Sequence, residues 1–296
     1  MVIVAVGFNN PYIWGHNMAQ GENWTAVTEG KVPLLSSPKR MFSNLMKNRQ
    51  VLRHFIKRDF KVTYHGHFLG YIWSVLEPLA LTVIFYLVFV ILRGSADSLL
   101  PLSIMIGILF FNAFSRTFNG CTVALTRNSG LIQQVYFPRE IFLASIAGFQ
   151  FVRLALSLVI VFIYMAVEGL PITNLILLLP LSMIGITLLA FGFGLLASML
   201  HVRVRDTGQV VQLLLRAGFF LSGVFYSVEH IPSEYVDLHL SNPVAVYIEM
   251  ARSAAFGNMD ILTFEHIGIA LLSSVIVFIL GSMAFMRYER KAVKYL

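Results

Sequence analysis

The stretch from Gln50 to Leu92 reads QVLRHFIKRDFKVTYHGHFLGYIWSVLEPLALTVIFYLVFVIL, and its two halves behave differently. The second half is apolar and long enough to cross a bilayer, since about 20 apolar residues at ~1.5 Å rise span ~30 Å of hydrocarbon. The first half is too charged to cross and too apolar to be a solvated tail. Leu52, Phe55, Ile56 and Phe60 recur at helical spacing, with Arg53, Lys57, Arg58 and Lys61 on other faces. This pattern predicts an amphipathic helix over 50–66 that lies on the membrane surface. Its apolar residues would sink to the headgroup boundary and its cations meet anionic lipid. It is either a positively charged flank or a lever that passes force from the cytoplasm to the first span.

Working outward, 57% of the chain is hydrophobic and only 12% charged. Soluble domains carry about 25% charged residues, so an all-α integral membrane protein is expected. The net charge of +7 gathers at segment ends, which suits membrane topology and not a nucleic-acid partner. A lone cysteine, Cys121, excludes an internal disulfide and a multi-cysteine metal site; its apolar setting indicates packing. Met1 to Phe8 has no basic region before it, so no secretory leader is expected.

Six apolar segments follow the pattern of spans: roughly 70–92, 101–124, 141–167, 173–200, 208–228 and 267–286. The fifth is interrupted by Gln209, Gln212 and Arg216. Between the last two, VAVYIEMARSAAF is helical in character but too polar for a full crossing. It is expected as an external re-entrant or interfacial helix. Lys and Arg collect at the amino-terminal segment, near Arg127 and Arg139, at Arg203 and Arg205, and from Arg287 onward; acids collect in the other loops. Six spans with both termini cytoplasmic satisfy this bias, in the plasma membrane or, in a Gram-negative cell, the inner membrane. The expected organisation is a cytoplasmic extension over 1–49, partly irregular, the surface helix over 50–66, a six-helix domain over 67–290 and a tail over 291–296.

No GxxxxGK[ST] loop is present, so ATP hydrolysis by that route is not expected of this chain. HExxH and GxSxG are absent as well. Glu77 is the main acid inside a span, which weakens a proton-coupled transporter. The acids and histidines Glu229, His230, Glu234, Asp237 and His239 form the one cluster that a membrane-embedded glycosyl or acyl transferase would use; in an outer loop such residues are more often a solvated face.

Between the second and third spans, TRNSGLIQQVYFPREIF (126–142) breaks at Asn128, Ser129 and Gly130. Leu131, Ile132, Val135 and Tyr136 then form one face of a short helix, and Pro138 prevents its continuation. Exposed apolar residues in such a loop need a cover, either a separate soluble subunit or the chain itself.

RDFKVTYHGHFLGYIWSVLEPL (58–79) followed by LIQQVYFPREI (131–141) resembles the permease subunit of ABC-2-type exporters, most closely those of O-antigen, capsule and teichoic acid. The likeness covers about residues 50–290. Arg58, Asp59, Lys61, Tyr64, Gly70, Trp73 and Pro78 fit the family's first pattern. Val135, Phe137, Pro138 and Glu140 fit the second, with Gln134 where Lys is common. The resemblance implies a homodimer, set among membrane lipids, that exports a lipid-linked polysaccharide through a channel at the dimer interface, driven by two separate ATPase subunits that bind ATP and Mg. It implies that Arg58, Asp59, Lys61 and Tyr64, with Leu131, Ile132, Val135, Tyr136, Phe137, Pro138, Arg139 and Glu140, form the ATPase contact. It implies no cofactor and no catalysis in this chain. A drug- or lipid-exporting ABC-2 permease is the nearest alternative.

Aromatic residues supply a path. Phe110, Phe111, Phe114 and Phe118 share a face of the second span, Trp73, Phe85, Tyr86 and Phe89 mark the first, and Phe219, Phe220, Phe225 and Tyr226 crowd the fifth. Sugar rings stack on aromatic faces without a fixed hydrogen-bond pattern, as bases do on the platforms of strand-binding proteins. Lipid-facing or core packing is the other reading. Arg116, Arg153 and Arg216 lie inside spans, where a central Arg costs ~2.5–3.5 kcal/mol. They meet acidic groups of a polymer or its carrier, snorkel to an interface, or pair with Glu140 or Asp206.

Overall fold

A computed structural model describes residues 36–64, 70–93, 99–134, 138–228, 231–259 and 262–292. The expectations for 1–35, 65–69, Val135, Tyr136, Phe137, Glu229, His230 and 293–296 lie outside the described residues. Among the described residues the chain is helical, with no strand.

In order, the helices are α1 (Ser37–Lys47), α2 (Arg49–Tyr64), α3 (Trp73–Arg93), α4 (Leu100–Arg127), α5 (Ser129–Gln134), α6 (Glu140–Val167), α7 (Leu178–Arg203), α8 (Thr207–Leu221), α9 (Ser233–Leu240), α10 (Pro243–Phe256) and α11 (Phe264–Ala292). Four segments are long and apolar enough to cross a membrane: Leu100–Arg127, Glu140–Val167, Asn174–Arg203 and Phe264–Glu289. Apolar stretches in α3 (Leu76–Ile91) and α8 are shorter.

Packing centres on α4 and α7. Helix α7 lies against α11, α4, α10 and α6. Lipid tails are as apolar as leucine, so close backbone approach at small residues holds such helices together. Glycines permit it: a Cβ on Gly281 would stand 2.5 Å from the Gly192 carbonyl oxygen, and one on Gly192 would stand 2.8 Å from the Phe278 nitrogen. The ends of α4, α7 and α11 meet the start of α6 in a cluster that includes Leu125, Leu143, Val202 and Phe285. The flanking Arg127, Arg139, Arg203 and Arg287 place positive charge at this end, which we term the basic end.

Three features differ from the sequence reading. Ser37–Lys47 is an ordered helix inside what is expected as a partly irregular extension. The segment over 208–228 stops as a helix at Leu221 after 15 residues, about 22 Å at ~1.5 Å per residue. Gly223 then adopts φ 68°, a left-handed conformation that ends the helix, and its chain passes tightly against α4. A Cβ on Gly107 would stand 2.4 Å from the Val224 oxygen. Finally, α10 is buried from Val244 to Ala255 among α4, α7 and α11. It is inserted into the bundle, which departs from the interfacial one of its two expected placements. Asn242 caps it by accepting from the Val244 N–H at 3.0 Å. The Tyr247 hydroxyl donates to the Ala270 carbonyl at 2.9 Å and stands 2.6 Å from Ser274 Oγ, so its buried oxygen is satisfied. The exposed helix between α8 and α10 is α9.

Candidate permeation groove and coupling end

Helices α3, α4 and α8, with the turn over 222–228, assemble the aromatic residues into one connected group. Phe225 lies 4.2 Å from Phe85, 4.8 Å from Phe219 and 6.2 Å from Phe89, centroid to centroid. Phe219 continues the contact to Phe220 at 5.6 Å and to Phe111 at 5.2 Å. Phe111 leads through Phe114 to Phe118 and Phe193. Members of this group divide by exposure. Phe111, Phe114 and Phe225 are buried, as is Phe110 of the same helix as Phe111, whereas Phe220 is 64% exposed. Core packing therefore accounts for the phenylalanines of α4, and Phe219 and Phe220 form the edge that an outside molecule can reach. Trp73 is exposed at the start of α3, Tyr86 is packed against the core, and the Tyr226 hydroxyl donates to the Phe220 carbonyl at 3.2 Å.

Beside the rings an open groove of ≈ 320 Å³ separates α4 from α8. Asn112, Ser115 and Asn119 line it from α4, at spacings of three and four that put them on one face; Gln212, Arg216 and Phe219 line it from α8. Asn119 Oδ1 is buried without a hydrogen-bond partner, and Arg216 is exposed with no ion pair among the described residues. The groove thus combines amide and hydroxyl side chains, one guanidinium without an ion pair among the described residues, and the rings of Phe111, Phe219 and Phe220.

Arg116 and Arg153 both have a partner that the sequence reading did not give them. Arg116 Nη2 lies 2.5 Å from Glu77 Oε1 and Arg153 Nη2 lies 3.1 Å from Glu77 Oε2. This carboxylate replaces Glu140 and Asp206 as the expected acid and leaves the trio with one net positive charge. Asn112 borders both the groove and the smaller cavity beside this trio.

A second arginine site escaped the sequence reading. The Arg252 guanidinium is 2% exposed and fully engaged. It donates to the carbonyls of Ser103, Gly223, Val224 and Tyr226 and to Glu249 Oε1 at 2.7 Å. Glu249 also accepts from the Val228 N–H. The only sequence signal was an acid and a base three apart within an otherwise apolar helix. Nearby, burial and then the Arg252 charge hold His239 below the usual histidine range, so it is neutral at pH 7.

At the basic end, α2 does not present its apolar face to lipid alone. Phe55 meets Phe142 of α6 edge-on at 5.2 Å, Phe60 meets Phe149 at 4.6 Å, and Gly148 leaves room for Ile56. Tyr64 is buried beside Phe60, while Lys61 stays exposed and Arg58 pairs with Asp59 at 2.8 Å. In α5, Ile132 turns onto the inner cluster, whereas Leu131 is 40% exposed. Arg139 Nη1 donates to the Glu289 carbonyl of α11 at 3.1 Å. Glu140, 1% exposed, accepts from Asn44 Nδ2 at 2.8 Å.

The profile of the ABC-2 type transporter family matches residues 50–256. Relatives include the O-antigen export system permease protein RfbA of Klebsiella pneumoniae, 23% identical over 81% of this chain and 92% of its own length. The polysialic acid transport protein KpsM of Escherichia coli is 27% identical over 67% of this chain and 78% of its own. The capsule polysaccharide export inner-membrane protein CtrC of Neisseria meningitidis is 23% identical over 83% and 94%.

Proposed function

Because the chain belongs to the ABC-2 type transporter family, we propose that it is the permease subunit of an ATP-driven polysaccharide exporter. Its relatives carry names of O-antigen export, polysialic acid transport and capsule polysaccharide export. The observation that carries the glycan reading is the groove between α4 and α8, which joins the exposed ring of Phe220 and the half-buried ring of Phe219 to amide side chains and Arg216. Rings receive the C–H faces of sugars and amides their hydroxyls, and neither demands one register. A polymer therefore slides past low barriers.

Two copies enclose the path, with α3 and α8 completing six crossings per copy, α10 re-entering from outside and both termini in the cytoplasm. Two separate ATPase subunits bind ATP and Mg and press on α2 and α5. Motion of α2 passes to α6 through the Phe55–Phe142 and Phe60–Phe149 contacts. Nucleotide drives the cycle only by the difference in its binding free energy between two arrangements of the complex. The cargo is lipid-linked, and its acidic groups meet Arg216 and the Glu77 trio.

Leu131→Asp tests the docking role. This exposed side chain carries little of the fold, so the variant should insert normally while export falls about tenfold or more, as expected when a charge is buried against an apolar interface. Export at the native rate in cells making this variant would refute the docking surface.

A further inference from the structure

We propose that α1 is a working part of the coupling apparatus, with Asn44 a positioning residue for Glu140; this rests on the permease reading above. Helix α1 precedes the segment matched by the family profile, which begins at residue 50. It is nonetheless built into the bundle. Met41 is 0% exposed and packs in the cluster formed by Leu125 of α4, Leu143 of α6, and Phe285 and Met286 of α11. One side chain thus fills the space where the basic ends of three spans converge.

Asn44 follows Met41 by three residues and so shares its face. Its Nδ2 donates to Glu140 Oε1 at 2.8 Å. Glu140 is 1% exposed, and a carboxylate so buried needs a donor to replace the water it lost. Arg40 of α1 and the adjacent Arg139 add favourable charge nearby. Arg139 in turn donates to the Glu289 carbonyl of α11, and α1 packs along α11. The two residues that follow Pro138 are therefore fastened in different directions, one to α1 and one directly to the last helix.

This arrangement gives the α5 segment two outputs. One runs along the chain to α6, of which Glu140 is the first residue. The other runs through Asn44 and Met41 to α11, a helix that is not continuous with the docking loop. Displacement of the loop by a motor must carry α1 with it or break the Asn44–Glu140 bond. On this account Asn44 makes the loop and the last helix move as one body.

The test uses the full chain with its ATPase in proteoliposomes and reads polymer exported per ATP hydrolysed. Asn44→Asp sets a second carboxylate against Glu140. It should lower that ratio about fivefold, as for directly touching residues. The swapped pair N44D/E140Q restores one donor and one acceptor in the opposite sense, and should return the ratio to within about twofold of the native value. Thermal unfolding of the purified chain separates coupling from folding. If Asn44→Asp fails to fold, Asn44→Ala is read in the same way. A native ratio in the folded single variant overturns the proposal, as does a swapped pair that regains native unfolding without regaining the ratio. Leu131→Asp is the control: normal export there refutes the docking reading itself. Uncoupling there, with a native ratio at Asn44→Asp, refutes the role of α1 alone.

Discussion

Arg252 and Arg216 lie on helices to either side of the 222–228 turn and meet opposite environments. Arg252 is buried, and four carbonyls and Glu249 accept its hydrogen bonds. Arg216 faces an open groove with no acid paired to it among the described residues. The same guanidinium is thus a structural fastener in one place and an available binding group in the other. An unpaired charge is costly in a membrane, so on the proposed reading the open Arg216 is the group that a passing acidic polymer would meet.

Substitution should separate the two roles. Arg252→Met strands Glu249 and several carbonyls in the core. Breaking a buried pair in this way costs about 3–5 kcal/mol. The variant should unfold at a clearly lower temperature in detergent, and R252M/E249Q should recover part of the loss. Native unfolding of Arg252→Met would show that the turn is held by other contacts. Arg216→Gln and Phe219→Ala should behave in the reverse way: native unfolding, with polymer flux reduced about three- to tenfold, since single stacking or ionic contacts contribute ~1 kcal/mol. Unchanged flux in both would remove the groove from the path.

The contrast also explains what the sequence discloses. The four long spans follow from hydropathy alone, because their apolar runs exceed what any soluble helix needs. The helical spacing of Leu52, Phe55, Ile56 and Phe60 coincides with α2, and Pro138 stands two residues before α6. Non-local pairing was not legible. Glu77 reaches Arg116 and Arg153 across 39 and 76 residues, so spacing offers no hint of the trio. The end of α8 depends in part on Arg252, 29 residues beyond Gly223. Helix α1 was missed for a similar reason. Its one buried apolar residue, Met41, finds its pocket only after α4, α6 and α11 have met. Among the aromatic residues, local sequence does not distinguish Phe111, buried, from Phe220, exposed; the crossing of α4 and α8 decides which becomes wall and which becomes rim.

The most direct measurement places the purified chain in liposomes, with and without its partner ATPase, and follows ATP hydrolysis and polymer transfer together. The chain alone should do neither, and the complex should do both in proportion. Nucleotide turnover or polymer transfer by the chain alone would contradict the account.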